Sequence, residues 1–202
     1  MKCKNLVINI CIIVVMVAII IVGFMIFFKY YNNHKNEEDI AQFIEENYNE
    51  NYTTNNSNYS SDKNLNLQYK GYNVLGVIKI PKVNLNYPII EALNDKDEAL
   101  NISIIKFSSN EINGFGNVTL AGHNYYDNTM FAKLHELNVL DTIEIMDNNK
   151  NNVAYEVYKK YNVSPTDTTC LETKDDNIRE LTLITCTKGN SERLVIKAKE
   201  IK

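Results

Sequence analysis

The sequence predicts a mainly β domain, closed or sandwiched, carried behind a single N-terminal transmembrane helix. Three features predict it. Leu6 to Phe28 is one apolar run broken only by Asn9 and Gly23. From about Lys70 the chain turns into short runs rich in β-branched and aromatic residues, with few long helical patterns. Between the two lies a polar stretch, Asn51 to Asp62, made of Asn, Ser, Thr and Tyr with no apolar period, the composition of a tether.

The apolar run supplies the first element. Twenty-three residues rising ~1.5 Å each give roughly 34 Å of helix, enough for a hydrocarbon core about 30 Å thick. A cleaved signal peptide competes with this reading, but its apolar region is shorter and ends in small residues. Here the run ends in Phe27-Phe28-Lys29-Tyr30-Tyr31, bulky and aromatic like an interfacial belt. Lys2 and Lys4 before it, and Glu37, Glu38 and Asp39 beyond, favour a cytoplasmic amino end and an extracellular body. Residues 1–28 are therefore read as a single-pass membrane anchor and residues 29–69 as a polar tether. Within the tether Asn36 can cap a short helix whose stripe is Ile40, Phe43 and Ile44.

The third segment is 70–202. Its strand candidates are Val74–Ile80, Tyr87–Ile90, Val118–Ala121, Thr142–Met146, Val153–Val163, Leu181–Thr187 and Arg193–Ile201. Ala99–Phe107 and Thr129–Leu137 read as short helices. A hydrophobic content of 45%, with 13 Tyr and 7 Phe, suffices for a packed core. The net charge of −4 is spread as +2 over 1–28, −4 over 29–69 and −2 over 70–202, so no block offers a basic footprint, and nucleic acid is excluded as a partner. Lysine outnumbers arginine 19 to 2, which marks Arg179 and Arg193 as needing a reason.

Four cysteines are present. Cys3 and Cys11 belong to the anchor, Cys170 to a polar loop, and Cys186 to the end of the apolar strand Leu181-Thr182-Leu183-Ile184-Thr185. Outside the cell a Cys170–Cys186 disulfide is one possibility. The surroundings of Cys186 point elsewhere. Gly189-Asn190 suits a two-residue hairpin loop. With that loop, 188 faces 191, 187 faces 192, and Cys186 faces Arg193 on one face of the hairpin, with Cβ atoms about 5 Å apart. Leu183, Leu194, Ile196 and Ala198 take the opposite, core-facing side. A guanidinium beside an exposed thiol favours the thiolate, the nucleophilic form. Register is critical, since a slip of one residue separates the pair.

A thiol nucleophile needs an acid–base partner, usually histidine. His34 lies in the tether, and His135 reads as a solvated position on a helix face. His123 follows the strand Val118-Thr119-Leu120-Ala121-Gly122 and opens the polar loop Asn124-Tyr125-Tyr126-Asp127-Asn128, a placement suited to function. Asp127, Asp167, Asp175 and Asp176 lack metal-loop spacing and read as solvated acidic loops, so no metal or cofactor is expected.

Taken together, these segments resemble the sortase family. Thr182-Leu183-Ile184-Thr185-Cys186 matches the signature Thr-Leu-x-Thr-Cys, Arg193 follows on the next strand, and Ala121-Gly122-His123 supplies the Gly-His pair 63 residues upstream of the cysteine. Gly76-Val77-Ile78-Lys79-Ile80-Pro81 looks like the family's opening strand and Tyr87-Pro88-Ile89-Ile90 like the next. The similarity covers roughly 70–202 and implies an eight-stranded β-barrel with its site in a groove on the outer wall.

The resemblance further implies a membrane-bound cysteine transpeptidase. Cys186 would attack the Thr–Gly carbonyl of an LPXTG-like sorting signal to form a thioacyl enzyme. His123 would shuttle protons, and Arg193 would hold the oxyanion or the substrate backbone. Ala121 and Ile184, with the signature's Thr185, match positions that line the substrate groove. The acceptor would be an amine of cell-wall peptidoglycan or its precursor. The seven-residue step from Cys186 to Arg193 is short for the family and implies a small groove rim. The short His–Cys interval, the lack of an Asp-Pro-aromatic lid and the lack of a second span together favour a compact class A- or D-like enzyme over classes B and C. A thiol hydrolase using the same residues and a non-catalytic, disulfide-bonded surface module are the competing functions.

Overall fold

The computed structural model describes residues 2–48, 67–187, 189 and 191–201. The chain divides into two compact units, Met1–Gln42 and Phe43–Lys202. The described residues of the first, 2–42, lie within α1 (Lys2–Tyr48), a single helix that holds the one window among the described residues, Cys11–Phe28, long and apolar enough to cross a membrane. The short helix expected around Ile40–Ile44 is not a separate element, because α1 runs on through it. Residues such as Glu45, Glu46 and Gln42 sustain a helix once nucleated, since extending an existing helix avoids the cost of a new first turn. Of the expected tether, residues 29–48 belong to α1, and the Asn51 to Asp62 stretch lies outside the described residues.

The second unit is a closed β-barrel. Its strands are β1 (Gln68–Tyr69), β2 (Tyr72–Ile80), β3 (Leu85–Glu91), β4 (Ile104–Lys106), β5 (Gly116–Ala121), β6 (Thr142–Asp147), β7 (Asn152–Val163), β8 (Arg179–Cys186) and β9 (Arg193–Glu200). Their order is β1-β2-β3-β4-β5-β8-β9-β7-β6, and β6 closes back on β2 from Gly76↔Asp147 to Lys79↔Glu144. Eight strands thus form the barrel, with the two-residue β1 appended to β2. Closure leaves no long unpaired edge. Ile80, Ile89, Leu120, Leu134, Leu183 and Ile196 are completely buried in its core.

All seven expected strands are present. The expected helix over Ala99–Phe107 splits in two. The helical part is α2 (Lys96–Ile102), which starts earlier because the Asp95 carboxylate accepts from the Asp97 and Glu98 amides, each at 3.0 Å. It stops at Ser103, whose hydroxyl donates to the Pro88 carbonyl at 2.6 Å. Ile104 and Ile105, both fully buried and β-branched, then pair in parallel with Ile89 and Ile90 as β4. The second expected helix, Thr129–Leu137, is a 3-10 segment, Phe131–Glu136.

The connector between β7 and β8 covers the outside of β8 and β9. Residues Thr169–Leu171 make one 3-10 turn, and Cys170, expected in a polar loop, is buried with 4% exposure. A polar network ties this connector to the barrel. Asn117 donates to the carbonyls of Cys170 and Glu172 at 3.1 and 3.3 Å and accepts from the Thr182 hydroxyl at 2.6 Å. The Lys197 ammonium donates to Thr182 at 2.8 Å and pairs with Glu180 in a buried salt bridge. Burying those polar groups is tolerable because each has a partner.

Arg179 clamps the start of β8. It donates to the Asn113 carbonyl at 2.7 Å, pairs with Glu200 at 2.7 Å, and stacks its guanidinium 4.6 Å from the Phe115 ring centre. One of the two arginines therefore has a structural reason. The other is in the groove.

Candidate active site

Three neighbouring strands carry the three predicted groups. β8 pairs in parallel with β5, with Ala121 opposite Ile184, and antiparallel with β9, with Cys186 opposite Arg193. The hairpin register expected from Gly189-Asn190 is the observed one. Thr187 and Glu192 exchange hydrogen bonds just beyond the pair, at 3.0 Å from the Thr187 amide and 3.3 Å from the Glu192 amide. Gly189 sits in the turn with φ +83°, a conformation that disfavours any side chain. Lys188 and Asn190 lie outside the described residues.

His123 comes two residues after Ala121, as Cys186 comes two after Ile184, so the imidazole and the thiol arise at the same level of adjacent strands, whose ordinary spacing is about 4.8 Å. Past the strand ends the register is held by three further bonds. The Gly122 amide donates to the Ile184 carbonyl at 3.2 Å, the Thr185 hydroxyl donates to the Gly122 carbonyl at 2.8 Å, and the Asn124 side chain donates to the Cys186 carbonyl at 2.8 Å. At Gly122 an added Cβ would lie 2.8 Å from the Phe131 ring, so only glycine lets the His123 segment pack this closely.

The side chains of Ala121, His123, Ile184, Cys186 and Arg193 are all half-buried and line one groove of about 410 Å³. Leu100 of α2 and Phe107 form one wall, and Pro165, Thr168 and Leu171 of the β7–β8 connector form the other. Thr185 also borders the groove, but it is buried and its hydroxyl is committed to Gly122, which makes it a tie between strands.

The chemistry of each group follows from its surroundings. Partial burial lowers the His123 pKa below the ordinary histidine value, and the nearby Asp97 carboxylate opposes that shift. The ring of Tyr125 lies 4.8 Å from the imidazole, tilted by 43°, and its hydroxyl donates to Asn101 on α2 at 3.1 Å. A neutral imidazole beside a thiol can take and return a proton near neutral pH. Among the described residues the Arg193 side chain donates only to the adjacent Glu192 carbonyl, at 3.4 Å, and no carboxylate lies within ion-pair distance of it. Its fork of donors is thus open to the groove.

The remaining candidates fall elsewhere. Cys170 and Cys186 are both free thiols, so the disulfide that a purely structural module required is not formed. Burial raises the Cys170 thiol pKa, with the Lys197 charge opposing. His135 is exposed and bonds the Ala132 carbonyl at 2.8 Å, and His34 lies on α1. Asp127, Asp167 and Asp175 each accept from a backbone amide two residues ahead, capping their own turns. Sequence reasoning missed Asn124 and Tyr125, next to His123, and Leu100 and Phe107, which fold brings to the groove.

The family model described as the Sortase domain matches residues 78–201, well over half of the chain. The chain belongs to the sortase family. Among curated relatives, the sortase A of Bacillus anthracis is 34% identical over 126 residues, covering 61% of this chain and 58% of that protein's length. Of solved structures, the sortase A of Corynebacterium diphtheriae superposes with a TM-score of 0.58 at 28% identity, covering 65% of this chain and 62% of that one. A sortase D5 transpeptidase of Clostridium perfringens shares the fold with a TM-score of 0.62 at 24% identity, covering 83% of this chain and 98% of that one. The sortase fold thus accounts for the eight-stranded barrel, and the groove on its outer wall holds the three groups that the family resemblance singled out.

Proposed function

We propose that this sortase is a membrane-anchored cysteine transpeptidase that cleaves an LPXTG-like sorting signal between Thr and Gly and passes the acyl group to an amine of cell-wall peptidoglycan or its precursor. The observation that carries the reading is the shared groove, in which Cys186 stands between His123 on one neighbouring strand and Arg193 on the other. The Cys186 thiolate attacks the Thr carbonyl carbon, and the open guanidinium of Arg193 stabilises the oxyanion. The imidazolium of His123 protonates the departing amine as the C–N bond breaks, leaving a thioester on Cys186. Ala121 and Ile184 form the groove floor beneath the sorting signal.

The Cys11–Phe28 window supports membrane anchoring, and the charges flanking it support an amino end inside and a barrel outside. The test is cleavage of a peptide library by the full-length protein in detergent, followed by mass spectrometry, for the wild type and Cys186→Ala. A thioester on Cys186 that an added amine resolves supports the reading. Products formed only by water make the protein a hydrolase, and no adduct at all refutes the proposal.

A further inference from the structure

We propose that Asp97 forms the acceptor subsite of this groove and recruits a protonated primary amine to the thioester. The inference rests on the transpeptidase reading and adds the residue that selects the acceptor amine in its charged form. The groove is electrically polarised along its length. Arg193 stands at the β9 side of Cys186, and Asp97, on α2, stands at the His123 side. Asp97 is close enough to His123 for its charge to act on the imidazole.

The Asp97 backbone is held in place, and its exposed carboxylate is not neutralised by an ion pair among the described residues. Its own amide donates to the Asp95 cap at 3.0 Å, which fixes it in the first turn of α2. Among the described residues no lysine or arginine reaches it within ion-pair distance. The adjacent Lys96 turns its ammonium over the Phe107 ring, 4.2 Å from the centre. Asp167, the other carboxylate bordering the groove, accepts from the amide and hydroxyl of Thr169 at 2.9 and 2.7 Å and caps its own loop. Of the two carboxylates bordering the groove, Asp97 is the one whose charge acts at the His123 imidazole, where the acceptor must bind.

Reversibility of acyl transfer fixes where that cation must lie. The incoming amine occupies the place left by the departing amine, within reach of His123. Most primary amines are ammonium ions at neutral pH, so a carboxylate beside the imidazole concentrates them where they must be deprotonated. The bound ammonium gives one proton to water and a second to His123 as its nitrogen bonds to the thioester carbon. The C–S bond then breaks, and Cys186 leaves as a thiolate beside the imidazolium, which restores the starting pair.

The test compares two acceptors on the full-length thioacyl enzyme. N-acetylcadaverine is cationic at neutral pH, and hydroxylamine is uncharged. The preference for N-acetylcadaverine over hydroxylamine falls about three- to fivefold in Asp97→Asn, the size expected of one exposed charge. It is retained in Asp97→Glu, and added salt diminishes it in the wild type. An unchanged preference in Asp97→Asn overturns the inference while leaving the transpeptidase reading intact, as does an equal loss in Asp97→Asn and Asp97→Glu. Failure of the wild type to form any thioester removes both.

Discussion

The side-chain amide of Asn124 donates to the carbonyl of Cys186 at 2.8 Å, binding the loop that carries the imidazole to the strand that carries the thiol. This bond spans the two sides of the site where the β5–β8 ladder has already ended. Asn124→Ala should lower the rate of thioester formation about tenfold by loosening the approach of the two groups, and should cost about 1 kcal/mol of stability. Single-turnover acylation and thermal melting measure the two effects separately.

Tyr125 shields the imidazole, and its removal should show in titration. Burial lowers the pKa of His123 in the folded protein, so this group binds fewer protons folded than unfolded between that lowered value and the ordinary 6.5. Stability therefore rises with pH across that window and is lost as the pH falls through it. Tyr125→Ala exposes the ring, moves the His123 pKa up toward the ordinary value and shrinks this acid sensitivity. Tyr125→Phe loses only the hydrogen bond to Asn101 and should change the pKa less. Proton NMR of the histidine ring signals across the acid range reads the shift directly.

The two arginines should separate cleanly. Arg193 has no carboxylate partner among the described residues, so Arg193→Lys should leave the melting temperature nearly unchanged and reduce acyl transfer about 100-fold. Arg179 has three partners and sits at the far end of β8. Arg179→Ala should destabilise the barrel by about 2 kcal/mol, while the acylation rate of the folded fraction holds. Denaturant melts alongside the acylation assay decide both.

The buried pair of Lys197 and Glu180 ties β9 to β8. Its side chains are only 6% and 7% exposed. Lys197→Met strands a carboxylate indoors and should cost about 3 kcal/mol, whereas Lys197→Met combined with Glu180→Gln should recover part of that loss. Urea unfolding of the two variants provides the comparison.

Much of this was legible in the chain because local rules agreed with one another. Gly189-Asn190 between two apolar runs set the hairpin, and the hairpin set Cys186 opposite Arg193. The strands were readable from their β-branched runs. Segment 104–106 was not, because Ile104 and Ile105, consecutive and both buried, show no alternation to distinguish a strand from the tail of a helix. Cys170 looked solvated because its neighbours in sequence are polar. Asn117, more than fifty residues away, gives the connector's carbonyls the partners they need indoors. Leu100 and Phe107 reach the groove, and Asn124 the Cys186 carbonyl, only through long-range packing, which a single chain's pattern does not encode.

The parallel pairing of β5 with β8 has a temporal consequence. Strands joined this way lie far apart in sequence, here with 63 residues separating the imidazole from the sulfur, and such long-range ladders form slowly. Until that ladder zips, Cys186 is not set beside the segment that follows β5 and carries His123. On the proposed mechanism, reactivity thus depends on barrel completion, and a nascent or damaged chain would lack the assembled site.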